Sequence, residues 1–397
     1  MYEVTVKGLP AILIAIFGAA FITWYFIPRV IKIVNERKLS DKPGKHKIHK
    51  REIPTLGGIA IFGGFVFGYL LGVDGHIDGG TYVVAAGLIL FFTGLKDDLI
   101  NLGPVKKIIA EVGAALLIAF FTGLRFTSFH GFAGIETIPV WFSYLISVFL
   151  VVLIINAVNL IDGIDGLAAS VGIISSAVFG IWFSLSGDFG YAIMAGALLA
   201  SLCVFVYYNV SQGPLKIFMG DSGSLVLGFI LAVFAIRFNE INAAGDGYRV
   251  LQASPSISIA VLIVPLFDTL RVIVLRMYNG GSVFRADNRH THHLMLRAGL
   301  SHLQATLIIA TFNIFIIALA FLLDPLGILL VGLIILVVCI TAVSVLERTV
   351  HRKEALSAMK EMSSETVVPD GFPVNRVTET SEVATGSRMV VGERRGA

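Results

Sequence analysis

Apolar residues in this chain gather into long unbroken runs separated by short polar stretches, rather than alternating along amphipathic faces. The runs match the ~20 residues that a helix needs to cross ~30 Å of hydrocarbon, and they exceed the ~9–11 residues of a membrane barrel strand. Windows of about 19 residues predict eleven membrane helices, over 9–35, 56–73, 81–95, 105–123, 139–158, 167–185, 190–209, 222–238, 255–277, 303–323 and 326–346. The fold class expected is therefore all-α, a polytopic integral membrane protein. The first run is too long and too weakly basic at its start for a cleaved leader, so it is taken as the first membrane helix.

The polar stretches fix an expected orientation. Basic residues crowd the loops after helices one, three, five, seven and nine, as in Arg37, Lys38, Lys42, Lys45, Lys47, Lys50 and Arg51, then Lys96, Lys106, Lys107, Lys216, Arg276, Arg285, Arg289 and Arg297. The opposite set carries only Lys7, Arg125, Arg237 and Arg249. The positive-inside bias puts the first set in the cytoplasm, with the N-terminus outside and the C-terminus inside. A membrane-embedded domain over 1–346 and a polar, disordered cytoplasmic tail over 347–397 follow from the same pattern.

Composition agrees: 56% of residues are hydrophobic, only 14% are charged, and the mean hydropathy is +0.85. A soluble domain carries roughly 25% charged residues, so a soluble enzyme, a nucleic-acid-binding module and a disulfide scaffold are set aside. The net charge of +3 is too small to mark a polyanionic partner. Cys203 and Cys339 lie inside apolar runs without pairing or metal-ligand spacing, which makes them core filler. No repeat is evident, which disfavours transporter folds built from repeats.

The polar residues are one-sided. The first cytoplasmic loop holds Lys47, His49 and Lys50 ahead of Pro54-Thr-Leu-Gly-Gly58, where the lysines suit anionic lipid and the glycine pair has the freedom to approach a phosphate. Helix three ends in Lys96-Asp97-Asp98, with Lys107 beyond; adjacent carboxylates at a membrane boundary need solvent, a cation or a metal. Helix five ends in Asn156, Asn159, Asp162 and Asp165, one oxygen-bearing side chain every third residue. Gly163 and Gly166 are expected to break that helix and turn the last carboxylates inward. Such oxygens suit a hard divalent cation, although Asp-Gly pairs also serve plain turns.

Ahead of helix eight, Gly220-Asp221-Ser222-Gly223-Ser224 can cap the helix, or hold a metal through Asp221 while Ser222 and the helix N-terminus face a diphosphate. In helix nine Asp268 and Arg271 are spaced to pair with each other. The next loop gathers Arg285, Asp287, Arg289, His290, His292 and His293. Without a cysteine or a His-Glu-x-x-His pattern, these imidazoles and guanidiniums suit nucleotide phosphates better than zinc.

Taken in order, Lys47-Ile-His49 with Pro54 to Gly58, Asp97-Asp98, Asn156 to Leu167, Phe218 to Gly228 and Asp287 to His293 resemble the polyprenyl-phosphate N-acetylhexosamine-1-phosphate transferase family over about residues 36 to 305. The Arg-x-His-x-His-His pattern at Arg289 to His293 is similar to the undecaprenyl-phosphate N-acetylglucosamine-1-phosphate transferase branch. The resemblance implies that undecaprenyl phosphate attacks the β-phosphate of a UDP-N-acetylhexosamine, above all UDP-GlcNAc, giving a lipid diphosphosugar and UMP. It implies a multi-pass protein of the bacterial cytoplasmic membrane with its active site on the cytoplasmic face, at the first membrane step of a cell-envelope polysaccharide.

By motif position, Asn159 and Asp221 are the metal ligands, for Mg²⁺ or alternatively Mn²⁺. Asp97, Asp98, Asp162, Asp165 and His290 are the catalytic candidates, with Asp97 and Asp98 accepting or steering the lipid phosphate's proton. His49, Lys107, Asn156, Ser222, Arg289, His292 and His293 are the substrate-binding candidates. No nucleic acid is expected as a partner, and a homodimer is admitted. Two alternatives stay open: a translocase using UDP-MurNAc-pentapeptide, and an ion-coupled transporter, which should instead bury its ionisable residues near the bilayer midplane.

Overall fold

The computed structural model describes residues 2–37, 53–73, 79–131, 134, 137–279 and 290–365, and every apolar run in that span is helical. The helices are α1 (Tyr2–Arg37), α2 (Gly57–Gly72), α3 (Gly80–Ile100), α4 (Pro104–Phe121), α5 (Val140–Ile161), α6 (Leu167–Leu185), α7 (Phe189–Asn209), α8 (Asp221–Ala244), α9 (Ser254–Val261), α10 (Ile263–Tyr278), α11 (Thr291–Arg297), α12 (His302–Leu322) and α13 (Gly327–Glu365). Among the described residues seven helices are long and apolar enough to cross a membrane, or eight with α9 and α10 taken as one bent span. The polytopic architecture is thus as expected, while three of the eleven predicted spans fall outside that criterion. Of these, α2 is 16 residues long, and α3 carries Lys96, Asp97 and Asp98.

Helix eight is the axis of the bundle. It is buried along nearly its whole length and packs against α2, α3, α5, α6 and α9. A helix apolar all round can lie in lipid or in protein, and the packing of five helices around α8 puts it in protein, with its first residue, Asp221, half-buried among the ends of its neighbours. The outer helices show large side chains such as Phe17, Phe21, Trp24, Phe149, Ile181 and Leu333 at their exposed faces, as a hydrocarbon solvent requires.

Two expected helices differ from the prediction. The ninth run is broken at Leu262, where α9 and α10 meet at a bend of 84°. Pro265 has no N–H to give to the turn before it. The Val261 carbonyl is instead taken by Ser175 Oγ of α6 at 3.4 Å and by Asn313 Nδ2 of α12 at 3.4 Å. The eleventh run continues past 346 to Glu365, so the stretch predicted as the start of a disordered tail is helical. Its Glu, Arg, Lys, Ala, Leu and Met content explains that, since these are strong helix formers. Residues 352–397 form a separate unit, of which the described part is helical.

Candidate active site

Four helix ends meet at one end of the bundle: the C-termini of α3 and α5 and the N-termini of α4 and α8. Close approach is possible because two positions lack a side chain. A Cβ on Gly94 of α3 would lie 2.4 Å from the Asp221 carbonyl oxygen, and one on Gly58 of α2 would lie 2.2 Å from the Gly223 nitrogen. The turn before α8 needs Gly220, whose φ is +72°.

At this junction Lys107 bridges two carboxylates, with Nζ 2.7 Å from Asp97 and in contact with Asp221. Asn159 Nδ2 donates to Asp221 at 2.9 Å and to Ser224 Oγ at 2.8 Å. Asp97 also accepts the Leu102 N–H, so both of its oxygens are engaged. Asp98 accepts the backbone N–H groups of Asp221 at 2.7 Å and Ser222 at 3.1 Å. It is an N-cap supplied from another helix, and it places a carboxylate at the positive end of α8.

Three expectations are corrected here, the first by that cap and the other two by the packing of α2 against α8 and the loop before it. The N-terminus of α8 is closed by Asp98 and does not present its first donors to a diphosphate. The Ser222 hydroxyl, expected to bind substrate, is fully buried beneath Gly58 in the α2–α8 packing. The Gly57 and Gly58 N–H groups are spent on the carbonyls of Phe218 at 2.9 Å and Met219 at 2.8 Å, which pins the loop before α8 instead of meeting a phosphate.

Helix five ends at Ile161, and Gly166, with φ of +78°, immediately precedes α6, so the helix breaks where the glycine spacing predicts. The carboxylates in the turn have separate surroundings. Burial pushes the Asp162 carboxyl well above its ordinary range, and the nearby charges of Asp221, Asp98 and Asp165 add to the effect. Burial would raise Asp165 as well, but His302 and Lys216 outweigh it and hold this carboxyl below the usual range. Lys216 Nζ is 2.6 Å from Asp165 and His302 Nδ1 is 3.4 Å from it. Asp165, expected to be catalytic, is therefore a buried fastening between the α5–α6 turn, the loop before α8 and the start of α12. Asn156, expected to bind substrate, points into the packing, where it donates to Glu111 at 2.5 Å and to the Val152 carbonyl at 2.9 Å.

The histidine segment reaches the same turn from the other side. His290 Nδ1 lies 2.9 Å from Asp268, and the rings of His290 and His292 are nearly parallel with centroids 5.7 Å apart. The His293 ring lies 4.3 Å from that of His292. The His292 ring abuts the turn, since a Cβ on Gly163 would come within 2.6 Å of its Nε2. Burial, then the neighbouring His293, pushes His292 down to about 3, so this imidazole is neutral at ordinary pH. An apolar cavity of about 330 Å³ runs between α5, α10, α12 and α13, lined by Ile161, Phe267, Ile309, Phe312 and Leu346, with Asp268 and His292 among its few polar walls.

His49 and Arg289 lie outside the described residues, as do Arg285 and Asp287. The structure thus unites Asp97, Asp98, Lys107, Asn159 and Asp221, with Asp162 close enough to feel Asp221 and Asp98. Sequence reading missed Glu111, a fully buried acid one turn beyond Lys107. Its signal was there, a lone acid inside an apolar run. Lys216 and His302 stood out only as members of basic and histidine-rich loops, and nothing in their spacing pointed to Asp165.

The family model described as glycosyl transferase family 4 matches residues 81–239, from the start of α3 into α8. The probable undecaprenyl-phosphate N-acetylglucosaminyl 1-phosphate transferase of Bacillus subtilis (strain 168) is 30% identical over 308 residues, 77% of this chain and 82% of that protein. The undecaprenyl-phosphate alpha-N-acetylglucosaminyl 1-phosphate transferase of Escherichia coli (strain K12) is 29% identical over 300 residues, 75% of this chain and 79% of that one. The protein of the same name from Yersinia pestis is 28% identical over 301 residues, with the same coverage of 75% and 79%. With its carboxylates, Lys107 and Asn159 gathered at the helix ends inside the matched region, and with relatives along most of its length, this chain belongs to glycosyl transferase family 4.

Proposed function

We propose that this protein transfers N-acetylglucosamine 1-phosphate from UDP-GlcNAc to undecaprenyl phosphate, releasing UMP. The observation that carries the reading is the meeting of Asp97, Lys107, Asn159 and Asp221 at one end of a lipid-exposed bundle, in a chain whose relatives bear that activity in their names. One phosphoanhydride forms as another breaks, so the catalytic task is to bring two anions together. At 4 Å two unit charges repel by about 4 kcal/mol at an effective dielectric of 20, which a cation between them removes.

Lys107 supplies one such charge from the protein itself. The residues also fit a Mg²⁺ ion. Asp221 and Asn159 offer hard oxygens, and the Asp162 carboxyl is held above its ordinary range by burial and in part by the neighbouring Asp221, Asp98 and Asp165, an effect that a divalent cation nearby would reduce. Among the described residues no group of three His, Cys, Asp or Glu side chains is placed to hold a metal, so the fit rests on Asp221 and Asn159 alone. Asp221 and Asn159 would hold it, and when bound it would draw charge from the diphosphate. Asp98 sets Asp221 by fixing the first turn of α8, and Asp97 sets Lys107.

The acceptor's tail cannot leave the bilayer, so the headgroup must be met at the membrane boundary, and the apolar cavity that ends at Asp268 and His292 suits a polyisoprenoid segment. The excess of Lys and Arg on the loops around this end supports a cytoplasmic site. The test is a membrane assay with radiolabelled UDP-GlcNAc and UDP-MurNAc-pentapeptide, undecaprenyl phosphate and Mg²⁺, scored for UMP and lipid-linked label. UMP release with UDP-GlcNAc alone is expected; transfer only from the pentapeptide donor, or none, overturns the reading.

A further inference from the structure

His290 is held by a carboxylate in a way that fixes what its far nitrogen can do. Asp268 and His290 are both buried, 4% and 5% exposed, although one lies on the broken helix pair and the other precedes α11. Asp268 uses one oxygen for the Thr291 backbone N–H at 2.8 Å and hydroxyl at 2.6 Å, and keeps the second for His290 Nδ1 at 2.9 Å. Arg271 Nη1 lies 3.8 Å from the first oxygen and is itself tied to Glu347. An ionised carboxylate only accepts, so Nδ1 must carry the hydrogen and Nε2 is left as the nitrogen for a ligand. No described group bonds Nε2, and it is not among the sealed polar atoms.

The same Asp268 walls the apolar cavity, together with His292. A polyisoprenoid segment in that cavity would end against Asp268, Thr291 and His292, the residues that hold and flank His290. Asp98 is occupied as a cap and Asp97 by Lys107 and Leu102, so the carboxylates first expected to take the acceptor's proton are engaged elsewhere.

We propose that Asp268 is a positioning residue that holds His290 with its proton on Nδ1, so that Nε2 accepts the proton of the attacking lipid phosphate. The inference rests on the transferase reading above. The proton on a phosphate oxygen of the lipid monoanion passes to Nε2 as that oxygen bonds the donor's β-phosphorus. The bond from the β-phosphorus to the bridging oxygen breaks, and its electron pair leaves with UMP. Nε2 then returns the proton to the UMP phosphate or to water.

The test uses the full chain in detergent with UDP-GlcNAc, undecaprenyl phosphate and Mg²⁺. Asp268→Asn keeps the shape and an oxygen for Thr291, but turns an N–H toward Nδ1 and so inverts the tautomer. Expected is a kcat lower by about 10²–10⁴-fold, with UDP-GlcNAc affinity by calorimetry unchanged within about threefold. The double variant Asp268→Asn with His290→Gln should be no slower than His290→Gln alone, because the pair acts as a unit. Near-normal kcat in Asp268→Asn, losses that multiply, or lost nucleotide affinity with kcat retained would each overturn the proposal. Nitrogen-15 NMR of histidine-labelled protein gives a readout independent of turnover. The His290 signal, identified by its absence in His290→Gln, should show a protonated Nδ1, exchanged for Nε2 in Asp268→Asn. If the wild type transfers nothing from any UDP-sugar, the functional reading fails, and the tautomer still decides the dyad: an Nδ1 without its proton sinks it.

Discussion

Asp98 accepts the backbone N–H of Asp221 at 2.7 Å across 123 residues of sequence, so the last turn of α3 caps the first turn of α8. The side chain that closes the helix and the side chain that faces the site thus come from different segments. Asp98→Ala should cost about 1–2 kcal/mol, the usual range for a lost cap, and should also lower turnover because Asp221 loses its setting. Asp98→Asn, which keeps one good acceptor, should fall between. Chemical denaturation in detergent beside rate measurements checks both, and wild-type stability in Asp98→Ala would remove the cap from the argument.

Asp221→Asn and Asn159→Ala should each abolish transfer while the protein still inserts, since a hard cation loses a charge or an oxygen. Mn²⁺ can report on binding directly by electron paramagnetic resonance. Both variants should bind it more weakly than the wild type. Ordinary turnover in Asp221→Asn at ordinary Mg²⁺ would contradict the assignment.

The Asp165–Lys216 pair should behave as a buried fastening. Removing one partner from such a pair typically costs about 3–5 kcal/mol, because the other charge is left uncompensated. Asp165→Ala and Lys216→Met should each lower the melting temperature sharply, and the double variant should recover part of the loss. A double variant as unstable as the sum of the singles would show that the two side chains are not coupled.

Stability should depend on pH through His292. The buried imidazole takes a proton only near 3, whereas its ordinary value is 6.5. Between these values the unfolded chain binds more protons, so the contribution is present above about 6.5 and is lost as pH falls toward 3. Asp162, held above its ordinary range, works in the opposite sense. The comparison that isolates His292 is therefore wild type against His292→Gln, whose melting temperature should fall less steeply on acidification. Parallel curves would mean the ring is not sealed.

Orientation can be read with cysteines. Ser211→Cys lies in the loop before α8 and should resist an impermeant thiol reagent added to intact cells, whereas Ser128→Cys, at the opposite end of the bundle, should react. The reverse pattern would move the site to the outer face.

Asn159 and Asp221 were readable because oxygen-bearing side chains at an apolar helix end are costly unless something uses them, and the structure brings these two together at 2.9 Å. Asn156 and Asp165 belong to the same periodic pattern but point elsewhere, one to Glu111 and one to Lys216. Spacing along a helix fixes the face on which a side chain lies, but not which neighbour occupies that face.

By itself the sequence determined that this chain is a polytopic membrane protein, where most of its helices run and which helix ends carry its clustered polar residues, because hydrophobic length, glycine breaks and charge bias act locally along the chain. Only the tertiary structure decided that α8 lies at the centre, that Asp98 closes it, that α9 and α10 bend apart with Ser175 and Asn313 serving the freed carbonyl, and that Asp268 stands behind His290. These depend on which helices pack together, and a buried polar group finds its partner across that packing, from whichever segment the fold brings near.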